Sequence, residues 1–167
     1  MIRLPYICFI AIIFGISSCG IYSFSGASIS SEVKSVSINP FENVASLAPP
    51  VLSNTLTEAL KDKFSSETKL IPLNSDGDLI FSGRITNYSI NPIAIQADET
   101  ASKNRLSITV KVKFVNITDE ETNYDKTFSR YADYESSQDF TSIEESLNEE
   151  IVFQLIDDIF NEAFTNW

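Results

Sequence analysis

Apolar and polar residues alternate most regularly between residues 106 and 114. Five apolar side chains occupy every second position there, and serine, threonine and lysine fill the positions between them. This period of two predicts a strand with one buried face and one wet face. The apolar character then moves to Val115 and Ile117, which predicts a β-bulge or a strong bend near residue 115. Shorter patterns predict further strands near 33–38, 70–73, 79–90 and 124–134.

Two segments repeat their apolar residues at spacings of three and four, which is typical of amphipathic helices. The first covers 49–64, where a pair of prolines suits the first turn. The second covers 142–164, and its apolar residues span roughly 200° of the helix, about twice the arc needed to pack on one surface. We therefore expect this helix to contact the sheet and a second surface, either the first helix or a partner protein. The candidates for facing a partner are Phe153, Phe160 and Phe164.

These elements predict a single α+β domain. Its two helices would pack on one face of a mostly antiparallel four-stranded sheet, in the order β-α-β-β-β-α. A length of 167 residues fits one domain. We expect that domain at 33–167, after a signal peptide at 1–18 and a lipidated tether at 19–32. The 91–105 segment is longer than an ordinary hairpin loop, so it is a candidate functional excursion.

The N-terminus reads as a targeting segment. Arg3 precedes an apolar run that is too short to span a bilayer and that ends in Ile-Ser-Ser-Cys at 16–19. This ending resembles a bacterial lipobox, which implies acylation of Cys19 and a lipid anchor at a membrane surface. Gly20 follows the cysteine with no aspartate retention signal, so the expected location is the periplasmic side of the outer membrane. The alternative is an ordinary signal peptide with a cysteine near its cleavage site by chance.

Composition narrows the chemistry. Asp and Glu total 23 against 12 Lys and Arg, and a net charge of −11 argues against a nucleic-acid partner. The chain has no histidine, which removes His-based triads and His zinc sites. Asn74, Asp76 and Asp78 have the spacing that opens a calcium loop, but Ile85 stands where that loop needs glutamate, so we interpret the segment as a turn. We predict no metal, no cofactor, no catalytic residue and no enzymatic activity.

One stretch departs from the acidic balance. No acid lies between Glu99 and Asp119, yet this window holds four basic residues. Such a patch can hold phosphate or another anion, because screening limits the reach of the remaining charges to about 10 Å. Solubilising side chains on an exposed sheet face are an equally good interpretation. The candidate ligand-binding residues are Lys103, Arg105, Lys111 and Lys113.

Several segments in order resemble the lipopolysaccharide-assembly lipoprotein family LptE, in the form typical of Bacteroidetes. They are CGIYSFSG at 19–26, VSINPFEN at 36–43, LSNTLTEAL at 52–60, NRLSITV at 104–110 and DIFN at 158–161. The resemblance covers nearly all of the chain after residue 18, although no single motif is diagnostic.

The resemblance implies a lipid-anchored, non-enzymatic protein that plugs the outer-membrane barrel LptD, assists its assembly and binds lipopolysaccharide. It also implies that basic residues on the sheet contact that ligand; the four named above are candidates from charge alone. Two other functions remain open. One is an accessory lipoprotein of a different envelope lipid-transport complex, and the other is an envelope hydrolase that uses an acidic pair.

Overall fold

The structure, a computed structural model, describes residue 30 and residues 32–93 and 102–165. The predicted signal peptide and Cys19 lie outside the described residues, as do residues 94–101 of the predicted excursion. The flanking parts of that excursion, 91–93 and 103–105, belong to two long strands.

The described residues form one mixed sheet of six strands. They are β1 (Ser35–Ile38), β2 (Glu42–Asn43), β3 (Ile71–Leu73), β4 (Leu79–Ile93), β5 (Lys103–Asn116) and β6 (Tyr124–Glu135). The strand order is β3-β1-β4-β5-β6, and β2 also pairs with β4. β1 is parallel to both β3 and β4, and β2 is parallel to β4. The pairs β4–β5 and β5–β6 are antiparallel.

Two helices, α1 (Leu52–Glu67) and α2 (Phe140–Thr165), lie together against one face of this sheet. α1 begins three residues later than predicted, because Ala48 and Pro49 belong to a turn in which both carbonyls accept from the Asn43 side chain. α2 packs on α1, β5 and β6. In the part of the chain that the structure describes, no helix is both long enough and apolar enough to cross a membrane.

The α+β class is confirmed, but the predicted four-stranded, mostly antiparallel sheet is wrong in both number and direction of strands. After β1 and the short β2, the chain runs along one face of the sheet as α1 and then enters β3 beside β1, and such a crossover connection makes β1 and β3 parallel. β2 has only two residues, too few for any hydrophobic period to show in the sequence.

The domain core is built around phenylalanines. The Phe64 ring lies 5.0 Å from Phe81, 5.0 Å from Phe160 and 5.7 Å from Phe164 between ring centroids. Phe160 and Phe164 are only 8% and 5% exposed, so their prediction as partner-facing residues is wrong: they face α1. Phe153 is 67% exposed and remains the one candidate of the three that solvent reaches.

The strand predicted over 106–114 is confirmed, whereas the bulge near residue 115 is wrong. The alternation continues unbroken to the end of β5, where Asn116 takes a buried position. Its side chain accepts from the Thr118 N–H at 3.0 Å and donates to the Thr122 hydroxyl at 3.1 Å, so burial leaves it paired. The irregularity lies instead in β4, between Ile85 and Asn87.

The Asp78 side chain links the beginning of β4 to the beginning of β1 through hydrogen bonds. Its Oδ2 accepts hydrogen bonds from the Lys34 N–H at 2.8 Å, the Ser35 N–H at 2.9 Å and the Ser35 hydroxyl at 2.8 Å. These bonds, led by that of Lys34, hold the pKa of the Asp78 carboxyl below its usual value, because they favour the ionised form.

We expect Asp78→Asn to lower the free energy of unfolding by about 1 kcal/mol at neutral pH, since a charged acceptor makes stronger hydrogen bonds than a neutral one. A pKa lowered by folding stabilises the fold above the pKa of the unfolded chain, and this stabilisation is lost as the pH falls through the folded pKa. The difference between wild type and variant should therefore narrow below about pH 4. Urea unfolding of both proteins at pH 7 and at lower pH measures this difference in the free energy of unfolding.

Asp76→Asn is the matched control for this prediction. Asp76 lies in the same turn and is exposed, and among the described residues its side chain bonds the neighbouring Ser75 hydroxyl alone. Its φ of 57° is in the left-handed region, which asparagine also tolerates. The control should unfold like the wild type. A deficit in Asp78→Asn that stays the same at every pH would contradict the charge-based account.

Candidate functional site

The two sheet faces differ in their side chains. On β5, Leu106, Ile108, Val110, Val112 and Phe114 face the helices and are buried. The residues between them point to the opposite face, which no described helix covers, and we call this the helix-free face. All four predicted ligand-binding residues, Lys103, Arg105, Lys111 and Lys113, lie on it.

The structure separates these four residues into two pairs. Arg105 and Lys111 are six positions apart on one strand, which corresponds to a distance of ~20 Å. Lys111 and Lys113 are neighbours on the helix-free face, near the end of β5. Lys103 and Arg105 lie near its beginning. A single small anion therefore contacts one pair or the other.

A third cation joins the Lys111–Lys113 end. Arg84 on β4 is the direct ladder partner of Lys111, so its side chain lies on the same face beside it. These three residues line an open hollow of about 400 Å³, together with Glu42 and Asp125. We call the three cations and two carboxylates the basic hollow. The prediction from the sequence did not include Arg84, because this residue lies outside the acid-free window between Glu99 and Asp119.

The charges in the basic hollow are only partly compensated. Lys111 Nζ lies 3.0 Å from Asp125 Oδ2, and both side chains are well exposed. An exposed ion pair of this kind contributes at most about 1 kcal/mol, so an incoming anion can replace the carboxylate. Among the described residues, no hydrogen bond or ion pair joins Arg84 or Lys113 to an acid. Three cations against two carboxylates leave a local excess of positive charge.

The other basic pair is engaged within the fold. The Arg105 guanidinium donates twice to the Asp133 carboxylate, at 2.7 and 2.8 Å, and lies 3.6 Å above the Tyr131 ring. The bond to Asp133 raises the pKa of Arg105, and the same contact lowers the pKa of Asp133. Lys103 likewise has partners within the chain. Arg105 and Lys103 are therefore weaker candidates for ligand binding than Lys111 and Lys113.

This geometry suits the binding of an anion. Arginine and lysine together match the charge and the hydrogen-bonding pattern of a phosphate group. Within the described residues, no group of three or more Asp, Glu or Cys side chains is placed to hold a metal ion. The arrangement is an open, solvent-accessible cluster of cations on a sheet face.

Two of the solved structures that match this chain show the similarity of fold. A minor lipoprotein from Acinetobacter baumannii matches with a TM-score of 0.51 and 14% identity, over 79% of this chain and 94% of its own. A protein from Helicobacter pylori, described as a homolog of a neuraminyllactose-binding hemagglutinin, matches with a TM-score of 0.51 and 11% identity, over 80% and 87%. At such identities the likeness shows the fold alone. No curated protein sequence matches the chain.

The domain thus has an α+β fold that at least one bacterial lipoprotein also has, and its helix-free face carries a cluster of three cations. The family model of LptE, described as lipopolysaccharide-assembly, matches residues 33–163, so the chain belongs to the LptE family. The resemblance seen in the sequence is confirmed. Membership implies a non-enzymatic envelope lipoprotein that acts in lipopolysaccharide assembly.

Proposed function

We propose that this chain is an outer-membrane lipoprotein that seats inside an LptD-type β-barrel, assists the assembly of that barrel and binds lipopolysaccharide during export. The family supports the barrel partner, and the polar lumen of a large membrane barrel suits a domain with a charged surface. The basic hollow is the observation that carries ligand binding, because the phosphates of lipopolysaccharide are anions that Arg84, Lys111 and Lys113 are placed to hold.

Acylation at Cys19, after removal of the signal peptide at 1–18, would hold the domain at the periplasmic side of the outer membrane. Residue 30 is eleven positions after Cys19, and a fully extended chain of that length reaches at most ~40 Å. The anchor would therefore keep residue 30, and the domain that follows it, within ~40 Å of the lipid surface in which the barrel lies.

A net charge of −11 and a phosphate-bearing ligand are compatible in this arrangement. Charges more than ~10 Å away are largely screened at 0.1 M salt, so the three cations of the basic hollow decide the local potential. Glu42 and Asp125 line the same hollow and offset part of that potential. Binding would then be weak and salt-dependent, which suits a protein that must release its ligand.

The ligand-binding part is tested by a charge reversal. We expect Lys111→Glu/Lys113→Glu to weaken lipopolysaccharide binding at least tenfold, because the basic hollow then has four carboxylates and one cation. Both side chains lie on the helix-free face, so the variant should keep its fold. Isothermal titration of the full-length protein in detergent measures the affinity, and circular dichroism checks the fold.

Lys61→Glu/Lys69→Glu is the control, since it makes the same change in net charge at and just after α1, on the other side of the sheet. It should bind like the wild type. Asp125→Asn should bind a few-fold more tightly, because it frees Lys111 from its 3.0 Å ion pair. Wild-type affinity in a folded Lys111→Glu/Lys113→Glu protein would remove the basic hollow from the mechanism.

The barrel partner needs a separate experiment. The full-length protein, tagged at its C-terminus, would be captured from detergent-solubilised envelopes of its own host, and its companions identified by mass spectrometry. We expect a large barrel of the lipopolysaccharide-export type in near-equal amount. Capture of a different lipid-transport complex in place of that barrel would overturn the proposed partner and leave the fold unaffected.

A further inference from the structure

The middle of the helix-free face is free of charge. Between the basic hollow and the Arg105–Asp133 pair, the ladder brings together side chains that bear hydroxyl groups and no ionisable acid or base near neutral pH. We call the polar strip Ser89, Ser107, Thr109, Ser129 and Tyr131 together with Thr127, which lies opposite Lys111 at the edge of the basic hollow. In a chain of net charge −11, such a neutral area beside a basic one is a distinct surface.

The polar strip keeps unused hydrogen-bonding capacity. Thr109 Oγ1 and Ser129 Oγ share one hydrogen bond of 3.1 Å, and Ser89 Oγ accepts from the side chains of Asn87 and Asn91 at 3.1 and 3.4 Å and keeps its own hydrogen to donate. Within the described part of the chain, the hydroxyls of Ser107 and Thr127 have no hydrogen-bond partner. A hydroxyl donates one bond and accepts two, so every member of the strip can still bond a ligand.

Tyr131 supplies an aromatic surface at one edge of the strip. It is 50% exposed, and its ring is held in place by the Arg105 guanidinium 3.6 Å above it. Arg105 is in turn fixed by two hydrogen bonds to Asp133. A ring that is already ordered loses little side-chain freedom when a ligand packs on it, and tyrosine combines apolar contact with a polar end.

These properties together match a sugar better than a protein surface. The core of a protein interface is apolar and is built around several aromatic anchors, and the strip has only one. Sugar rings carry hydroxyl groups around their rim and C–H groups on their faces. Hydroxyl side chains complement the rim, and a fixed tyrosine ring complements the face.

We propose that the polar strip binds neutral sugar residues of the same phosphorylated glycolipid whose phosphate occupies the basic hollow. This inference rests on the proposed function and names the part of the ligand that lies outside the hollow. From Lys111 to Ser107 the strand runs ~14 Å, long enough for more than one sugar ring. The helix-free face would thus take the phosphate at one end and the saccharide along its middle.

The test uses the full-length protein and a variant without three hydroxyls, Ser107→Ala/Thr109→Val/Ser129→Ala. The probes are lipopolysaccharide with its core oligosaccharide, lipid A without it, and the dephosphorylated core oligosaccharide alone. We expect the variant to bind core-bearing lipopolysaccharide at least fivefold more weakly and lipid A as the wild type does. Ser53→Ala/Thr55→Val/Ser66→Ala, which removes three hydroxyls from α1, should behave as the wild type with every probe.

The outcomes separate this inference from the proposed function. If the wild type binds lipid A, and the three-hydroxyl variant still binds core-bearing lipopolysaccharide as tightly as the wild type, the strip is not a saccharide site and the phosphate site stands. If lipid A does not bind at all, the phosphate site fails, and the dephosphorylated oligosaccharide decides the strip by itself. In the wild type, adding the oligosaccharide should then change the chemical shifts of the backbone amides at position 107 and at Tyr131. Both changes should be lost in the variant, and their absence in the wild type overturns the inference.

Discussion

Phe64→Ala is expected to lower the free energy of unfolding by about 3–5 kcal/mol, the usual cost of removing a fully buried aromatic ring. The Phe64 ring is central to the core, because it touches Phe81 of the sheet and both Phe160 and Phe164 of α2. The cavity would therefore open where α1, α2 and the sheet meet. Since the free energy of unfolding of a whole domain is only about 5–15 kcal/mol, the variant would lose much of its stability. Urea unfolding followed by circular dichroism measures the change.

Phe153→Ala is the matched control, with the same substitution on α2 at a side chain that is 67% exposed. It should change the free energy of unfolding by no more than about 0.5 kcal/mol, as is usual for surface positions. A large loss at Phe153 with a small one at Phe64 would mean that the packing described for α2 is wrong.

This pair of residues also shows what hydrophobic periodicity can predict. The broad apolar arc of α2 indicates correctly that the helix is covered on more than one side. It does not indicate what covers it, because a helix and a partner protein impose the same pattern. Phe160 and Phe164 pack on Phe64 from α1, a contact between residues almost a hundred positions apart. Only the three-dimensional fold separates them from Phe153.

Asn116 illustrates a second limit. A polar residue at the end of an alternating strand suggests that the buried face has ended, and the apolar neighbours Val115 and Ile117 then suggest a bulge. The side chain is nonetheless buried, since the following loop satisfies both its oxygen and its nitrogen. A buried polar group is tolerated when its hydrogen bonds are made, and those bonds depend on a loop conformation that no period reveals.

Part of the candidate site could be predicted from the sequence, and the rest depends on how the strands pair. Lys111 and Lys113 share a face because a strand alternates, so the sequence alone puts them together. Arg84 joins them through the register of β4 against β5, and Asp125 through that of β5 against β6. The alternation of Phe81 and Ile85 with Ser82 and Arg84 does indicate that Arg84 is on a wet face. That Arg84 lies beside Lys111, however, can be predicted only when the register of β4 against β5 is known.

Gly83→Val is expected to lower the free energy of unfolding by about 3 kcal/mol, at the upper end of what an overpacked core position usually costs. A Cβ at this position would lie 2.5 Å from Phe41 Cε1 and 2.6 Å from the Lys111 carbonyl oxygen. Phe41 is buried and its N–H is bonded to Thr57 Oγ1 of α1 at 3.0 Å, so the ring has little room to move. The backbone oxygen of Lys111 cannot retreat without breaking the β4–β5 ladder.

Ser82→Val is the control for Gly83→Val, because it introduces the same side chain one residue earlier on the helix-free face. It should unfold within about 0.5 kcal/mol of the wild type, since valine is well tolerated in strands. Gly83 also lines the basic hollow, so Gly83→Val should weaken lipopolysaccharide binding through displaced strands even though it changes no charge. Full stability in Gly83→Val would show that Phe41 does not pack against β4 as described, and would leave the shape of the basic hollow without its support.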